Sequence, residues 1–521
     1  MNRLFVFLLI PAFAQASQYP AVVKGPVITG VTETEAWVAW STAHHEGDAS
    51  GFNQCAVDAF TGTPNGDSPS LMLSPAARGG SSFSDNACSR EHRVHLTGLL
   101  PGTHYSFVLD KPFDSESGLV PHGQFTTAPL VETRPAFKFV VYGDSRNNPV
   151  LQSSTRGDHQ AVVDAILANE SDAAFLVHTG DLALNTPAVS GDDNGYTEFF
   201  DVERKLLSRF PLFATIGNHE TIDTTNYDSL INAPGFTPNQ PHPYFYSTEW
   251  GRVHFAFVDA FEGAAGALGF GDRAPGISDA QVEWLDADLA AAKAAEKALF
   301  VVTHQGPYSH PVAGSGHGGG AEAQAKVAPL ILKYGVLAVF SGHDHYYQRG
   351  REGCVDYLVV GGGGAPMYDP DGTAAGVVVA RKTLSFVEVS VSQSGATTAI
   401  AKDTSGRAID SFTFTPAKSD CLTAPDAGDS DAGASDSGLS DAGGALPDGG
   451  ADAGIPDGAS VHDAGVSGDS PALVASGCGC RTSGVDRLVA VVLVVLWGSR
   501  GRRRRKSAIV RRSLGNIETG S

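Results

Sequence analysis

The chain is short of positive charge: 36 lysines and arginines stand against 57 aspartates and glutamates in 521 residues, a formal net charge of −21. Nucleic acid is bound by basic faces, so this balance argues against it as the physiological partner. Phosphorylated small molecules stay open, because bound metal ions can supply positive charge locally. Long apolar runs are scarce as well. Leu488 to Trp497 is wholly apolar but only ten residues long, where a bilayer-spanning helix needs ~20. Cysteine is limited to six. Cys55 and Cys88 fall in one segment, Cys354 and Cys421 flank the end of the next, and Cys478 and Cys480 lie near the C-terminus. Pairing within the first two groups suits an oxidising compartment, with free buried thiols as the alternative, and spacing alone does not decide. From Ser419 to Ser470 there are no aromatics, lysines or arginines, and Asp-Ala-Gly recurs at 426, 431, 441, 452 and 463. Such a stretch cannot bury enough surface to fold and reads as an extended acidic linker.

What is present divides the chain. Arg3, the apolar run Leu4 to Ile10 and the small-x-small site Ala14-Gln15-Ala16 follow the order of an export signal, which predicts a mature chain from near Ser17. At the other end come Gly477 to Cys480, the apolar run, and the basic cluster Arg502 to Lys506. This is the order of a sorting or membrane-anchor tail whose charges stay cytoplasmic, and it resembles the cysteine-containing C-terminal sorting tails of myxobacterial surface proteins. The expected organisation is a signal peptide at 1–16, a β-sandwich at 17–130, a catalytic domain at 135–418, the linker at 419–475 and the tail at 476–521. The expected location is the cell envelope or surface, or the medium.

Residues 19–128 read as all-β. Thr34 to Trp40 alternates, with Ala36, Val38 and Trp40 on one face, and Arg93 to Leu99 and His104 to Leu109 alternate again around the turn Pro101-Gly102. Leu96 to Leu109 resembles the corner sequence of a fibronectin type III sandwich, with Tyr105 as the corner tyrosine. After Pro135 the texture changes to strand–helix alternation. Strands are predicted at Phe137 to Tyr142, Ala173 to Val177, Leu212 to Ile216, Leu299 to Thr303 and Val336 to Phe340. Helices are predicted at Asp158 to Leu167 and Ile277 to Ala295. Alternation of this kind implies an α/β core. Each strand delivers polar residues just past its C-terminal end, where α/β proteins build their sites.

Those polar residues form five clusters in order: GDSR at Gly143 to Arg146, Gly180-Asp181, GNHE at Gly217 to Glu220, His304, and GHDH at Gly342 to His345. Carboxylates, an amide oxygen and imidazoles are the donors that divalent ions take. Glycines before the ligands allow sharp strand-to-loop turns. A lone Gly-Asp is usually a turn; five clusters in this order resemble the calcineurin-like metallophosphoesterases, over about 137–364. The expected fold is that family's double β-sheet sandwich flanked by helices. A preceding β-sandwich, together with Tyr346 to Arg349 and Gly361 to Gly364, resembles the purple acid phosphatase subgroup.

The resemblance implies two metal ions (iron, zinc or manganese). Asp144 and His345 would bind the first, Asp181 would bridge, and Asn218, His304 and His343 would bind the second. His219 would act on the substrate phosphate, stabilising the transition state or protonating the leaving oxygen, with a metal-bound hydroxide as nucleophile. Two departures stand out. Purple acid phosphatases carry a metal-binding tyrosine three residues after the bridging aspartate, where this chain has Leu184; other members carry a histidine two residues after the first aspartate, where it has Arg146. Water or Asn185 would have to complete the first site. Arg146 cannot ligate a metal, but its planar fork suits a pair of phosphate oxygens, or a salt bridge to a site carboxylate. In the loop after His304, which lines the pocket in purple acid phosphatases, His310 is the candidate phosphate contact ahead of Tyr308 and His317. The reading is a phosphomonoesterase. A phosphodiesterase or nucleotidase is the alternative, and a surface binding protein with a weakened site is a further one.

Overall fold

The computed structural model of this protein describes residues 21–42, 70–74, 91–110, 113–114, 121–146, 156–184, 195–231, 244–264, 273–352 and 355–415. All of them fall in one compact unit, Met1–Ser430. The expected signal peptide, the six cysteines, Asn185, the acidic linker and the tail lie outside the described residues. Among the described residues no helix is long and apolar enough to cross a membrane.

The N-terminal strands are β1 (Ala21–Thr29), β2 (Glu35–Thr42), β3 (Ser70–Ser74), β4 (Glu91–Thr97), β5 (His104–Asp110), β6 (Phe113–Asp114) and β7 (His122–Thr126). The alternation in β2 places Ala36, Val38 and Trp40 in the core, while Trp37 stays half-buried. The Tyr105 hydroxyl accepts a hydrogen bond from Leu100 N at 2.9 Å, back across the turn, as a tyrosine corner does. β3, β5 and β7 form their own antiparallel sheet. β1, β2 and β4 instead join strands from the C-terminal side of Pro135. They extend a ten-stranded sheet in the order β20-β19-β18-β8-β9-β10-β1-β2-β4, with β6 pairing β1. Its remaining members are β8 (Phe137–Tyr142), β9 (Phe175–His178), β10 (Leu212–Ala214), β18 (Ser385–Val391), β19 (Thr397–Asp403) and β20 (Ala408–Thr413). The junction is the parallel pairing of Thr29 with Leu212. The boundary expected at 130–135 therefore falls inside one continuous sheet.

A second sheet, in the order β11-β12-β13-β14-β16-β15-β17, contains β11 (Tyr246–Trp250), β12 (Val253–Val258), β13 (Ala298–Thr303), β14 (Ala338–Ser341), β15 (Tyr347–Glu352), β16 (Val355–Val360) and β17 (Val377–Arg381). The two sheets face each other across an aromatic core. Phe139 of β8 meets Phe255, Phe300 and Phe340 edge-on, at 5.1, 6.0 and 6.3 Å between ring centroids, a favoured aromatic geometry. Helices cover the outer faces. α1 (Arg156–Asn169) and α2 (Tyr196–Leu207) bury Val162, Ile166, Phe199 and Leu206 against Val140 and Leu176. The short α3 (Thr225–Leu230) comes next. α4 (Asp279–Ala294) begins at Ser278, whose side chain accepts from Gln281 N, a standard N-cap. With α5 (Ala328–Tyr334) it packs Leu285, Leu289 and Ile331 on Val258, Val301 and Val339. The central strands β8, β9 and β10 run parallel, as do β12, β13, β14 and β16. Their C-terminal ends open at a common edge of the sandwich.

Candidate metal centre

Each expected ligand lies just past one of these strands: Asp144 after β8, Asp181 after β9, Asn218 after β10, His304 after β13, and His343 and His345 after β14. Asp144, Asp181 and His343 adopt left-handed backbone conformations, with φ of 57°, 56° and 70°. Non-glycine residues rarely accept this, and such strain gathers at functional sites. Only Gly180 among the preceding glycines shares it, at 92°. The others serve close approach instead of the turn itself: a Cβ on Gly342 would lie 2.2 Å from Asp144 Oδ2, and one on Gly217 2.3 Å from Asp181 Oδ1.

The histidines are oriented by backbone carbonyls. His304 Nδ1 donates to Thr179 O at 2.7 Å, and His345 Nδ1 donates to Pro366 O at 2.6 Å. This fixes the tautomer and aims the Nε2 lone pair into the site, as is usual for metal-bound imidazoles. Ligand atoms of Asp144, Asp181 and His304 all lie within 4.8 Å of one another, fully buried. His304 Nε2 faces Asp181 Oδ1 at 3.2 Å without a hydrogen bond of acceptable geometry, and Asn218 Oδ1 is buried without a partner. Electron pairs converging in a dry site call for a cation. Asp144, Asp181 and His304 therefore fit a metal ion, and Asn218 Oδ1 is an unpartnered donor of the kind such an ion takes. The electrostatics agree. Burial, with the charge of Asp181 beside it, pushes Asp144 up to about 8. Burial lowers His304, but Asp181 and Asp144 outweigh it and raise it to about 9.

Arg146 is buried, and its Nε donates to Asp181 Oδ2 at 3.0 Å while its other arm lies 3.4 Å from His345 Nε2. The salt bridge to a site carboxylate, one of the two roles read for it, is formed. His219 sits beside Asp181, its Nε2 3.8 Å from Oδ2, and its Nδ1 donates to Leu184 O at 2.7 Å. Burial and the Arg146 charge lower it to about 4. The position where the tyrosine was missing thus supplies a carbonyl that orients this histidine. The backbone of His310 pairs with the Gln348 side chain, and its ring lies 6.0 Å from that of Tyr357. It is His317 that stacks on His343, at 4.1 Å and 26°. The loop after His304 is pinned by Asp344, which accepts from Ser309 Oγ, His317 N and Gly318 N. That fixed path brings His317 against His343.

Three contributors are not legible from the sequence motifs. Glu220, fully buried, accepts from Asp181 N, Leu182 N and Gly217 N at 2.8, 2.9 and 2.8 Å, tying two ligand loops together. Asp344 pins the loop after His304. Both acids lie inside ligand motifs without a ligand role, and that was the available signal. Tyr368 stacks on His345 at 4.2 Å, and nothing in its sequence surroundings marks it.

Residues 137–347 match the family model of the calcineurin-like phosphoesterases. The region is a calcineurin-like metallophosphoesterase domain, and the chain is a phosphoesterase hydrolase. Its relatives include mouse (Mus musculus) tartrate-resistant acid phosphatase type 5, 26% identical over 261 residues, covering 47% of this chain and 76% of that protein. Purple acid phosphatase 15 of Arabidopsis thaliana is 25% identical over 52% of this chain; the alignment spans only 53% of the plant protein. Among solved structures, a purple acid phosphatase from yellow lupin (Lupinus luteus) seeds shares the fold, with a TM-score of 0.57, 17% identity and coverage of 78% of this chain and 76% of that one.

Proposed function

We propose that the protein is an exported, metal-dependent phosphatase hydrolysing small phosphomonoesters. The observation that carries this reading is the convergence of Asp144, Asp181 and His304, with Asn218 Oδ1 buried and unpartnered past the end of β10, at the strand ends of a phosphoesterase fold. A bound ion supplies Lewis-acid chemistry, polarising a phosphoryl oxygen and acidifying water. The chain's own residues do the rest. Thr179 and Pro366 carbonyls hold the ligand imidazoles, Glu220 holds the loops, and Arg146 brings a permanent positive charge to a site that must receive an anion. His219, oriented by Leu184 O, is placed to hold a phosphoryl oxygen or return a proton to the leaving group. A phosphorylated small molecule is the expected substrate, in keeping with the acidic net charge.

Paired assays on an aryl phosphomonoester and an aryl phosphodiester test the reading. Monoester hydrolysis that disappears on exhaustive chelation and returns with metal is expected. Preferential diester hydrolysis would favour the phosphodiesterase or nucleotidase alternative, and no hydrolysis of either would favour the binding protein. Export rests on the order of residues 3–16, and attachment through the tail rests on Cys478 to Lys506. Mass spectrometry of the native surface protein should find neither the first ~16 residues nor the arginine cluster. Recovery of the intact protein from the cytosol would overturn this part.

A further inference from the structure

The first metal position contains a cation of the chain's own. The resemblance assigned that position to Asp144, Asp181 and His345, with one ligand missing. In the structure, Arg146 Nε donates to Asp181 Oδ2 at 3.0 Å, and its terminal nitrogen lies 3.4 Å from His345 Nε2. Because His345 Nδ1 donates to Pro366 O, Nε2 carries the lone pair, and this is the lone pair a first ion would need. Arg146 N also donates to Asp181 O at 3.3 Å, so the residue is tied to Asp181 by backbone and side chain together. Its side chain is only 7% exposed and cannot swing into water without breaking these bonds. Guanidinium stays protonated under all relevant conditions. A second dication in the same cavity would have to displace these hydrogen bonds and sit against a fixed positive charge in a dry setting, where such repulsion is poorly screened. Asn218 Oδ1 and His304 Nε2, by contrast, are not engaged by any donor.

We propose that this site holds one metal ion, and that the Arg146 guanidinium takes the place of the other. The ion lies among Asp144, Asp181, His304 and Asn218, next to His343. Arg146 occupies Asp181 Oδ2 and His345 Nε2 and keeps its remaining N–H groups for a phosphoryl oxygen, which a planar fork binds well. The inference rests on the phosphoesterase reading but concerns only the occupancy of its site.

Metal stoichiometry tests it without relying on activity. The full-length chain is stripped with chelator, refilled with excess Mn(II), freed of unbound ion and measured for metal per protein. Its electron paramagnetic resonance spectrum is then recorded. One Mn(II) per chain, with the six-line signal of an isolated ion, is expected. In R146H the first site regains an imidazole donor and loses its charge, so the ratio should rise to two, with an exchange-coupled spectrum. A wild-type ratio of two with coupled spins overturns the proposal whether or not the variant folds, and so does a folded R146H that stays at one. The two readings fail separately. Two ions with hydrolysis of 4-nitrophenyl phosphate would remove only the single-ion inference. One ion with no phosphate-ester hydrolysis would remove the phosphatase.

Discussion

Replacing Glu220 measures how the ligand loops are held. Its carboxylate accepts three short hydrogen bonds from the backbone of Asp181, Leu182 and Gly217 and is fully buried, so water cannot substitute. In E220A three N–H groups lose their partner, at ~1–3 kcal/mol each, or ~3–9 kcal/mol together. An opposing effect reduces this. Burial, reinforced by Asp181, pushes Glu220 from the ordinary 4.5 up to about 7. The ionised carboxylate therefore carries a cost of about 3 kcal/mol, at 1.36 kcal/mol per pH unit, which the alanine removes. The net expectation is destabilisation by about 3 kcal/mol, large against the ~5–15 kcal/mol of a typical domain. E220Q keeps one accepting oxygen and should lose roughly half as much. Because Glu220 orients two ligand loops without touching an ion, metal affinity should also fall ~10–100-fold, the usual effect of removing such a support. Urea unfolding of the metal-free protein and calorimetric titration with Mn(II) measure both. An E220A protein within ~0.5 kcal/mol of wild type and of unchanged affinity would refute the reasoning, since the three donors would then have found other partners.

The same geometry sets other expectations. His219→Ala removes the ring but keeps the bond from backbone N to Asp181 Oδ1. Turnover should drop ~10²–10⁴-fold with metal content unchanged, and loss of metal would identify His219 as a ligand. Phe139→Ala opens a hole where the two sheets meet and should cost ~3–5 kcal/mol by denaturant midpoint; a cost under ~1 kcal/mol would mean that the core collapses around it. His254 is buried, which lowers it, but Asp288 at 2.7 Å and Glu249 at 3.6 Å prevail and raise it above the ordinary value. Its charged bonds, worth on the order of 1–2 kcal/mol, are therefore fully present below the unfolded value of ~6.5 and are lost as pH rises through the folded one. The stability difference between wild type and His254→Gln should shrink as pH rises above ~6.5, and a difference that grows would reverse the assignment. Glu249, held down to about 2 by His254 first and Lys297 next, contributes in the opposite sense: its share is present above ~4.5 and is lost as pH falls toward about 2.

The strands carrying the site were legible because each is a continuous apolar run ending in glycine and a polar residue, a local signal. The predicted strand Phe137 to Tyr142 matches β8 residue for residue, and the helix expected over Ile277 to Ala295 is α4, shortened at its N-terminus to the Ser278 cap. The nature of the donors was equally legible, since carboxylate, amide and imidazole announce themselves by residue type. Relations between distant segments were not. That β1 continues the catalytic sheet depends on Thr29 meeting Leu212, and no pattern inside either strand specifies its neighbour. The loop after His304 offered two histidines, and only the pinning by Asp344 brings one of them, His317, onto His343. Arg146 and Glu220 were visible as residues but not as partners. The one neutralises Asp181 from 35 positions away, and the other clamps it from 39. Residue type and periodicity are written along the chain and set the chemistry that is possible. Which lone pair finds which cation is decided by the packing of the sheets, because a buried electron pair takes the nearest donor the fold brings to it.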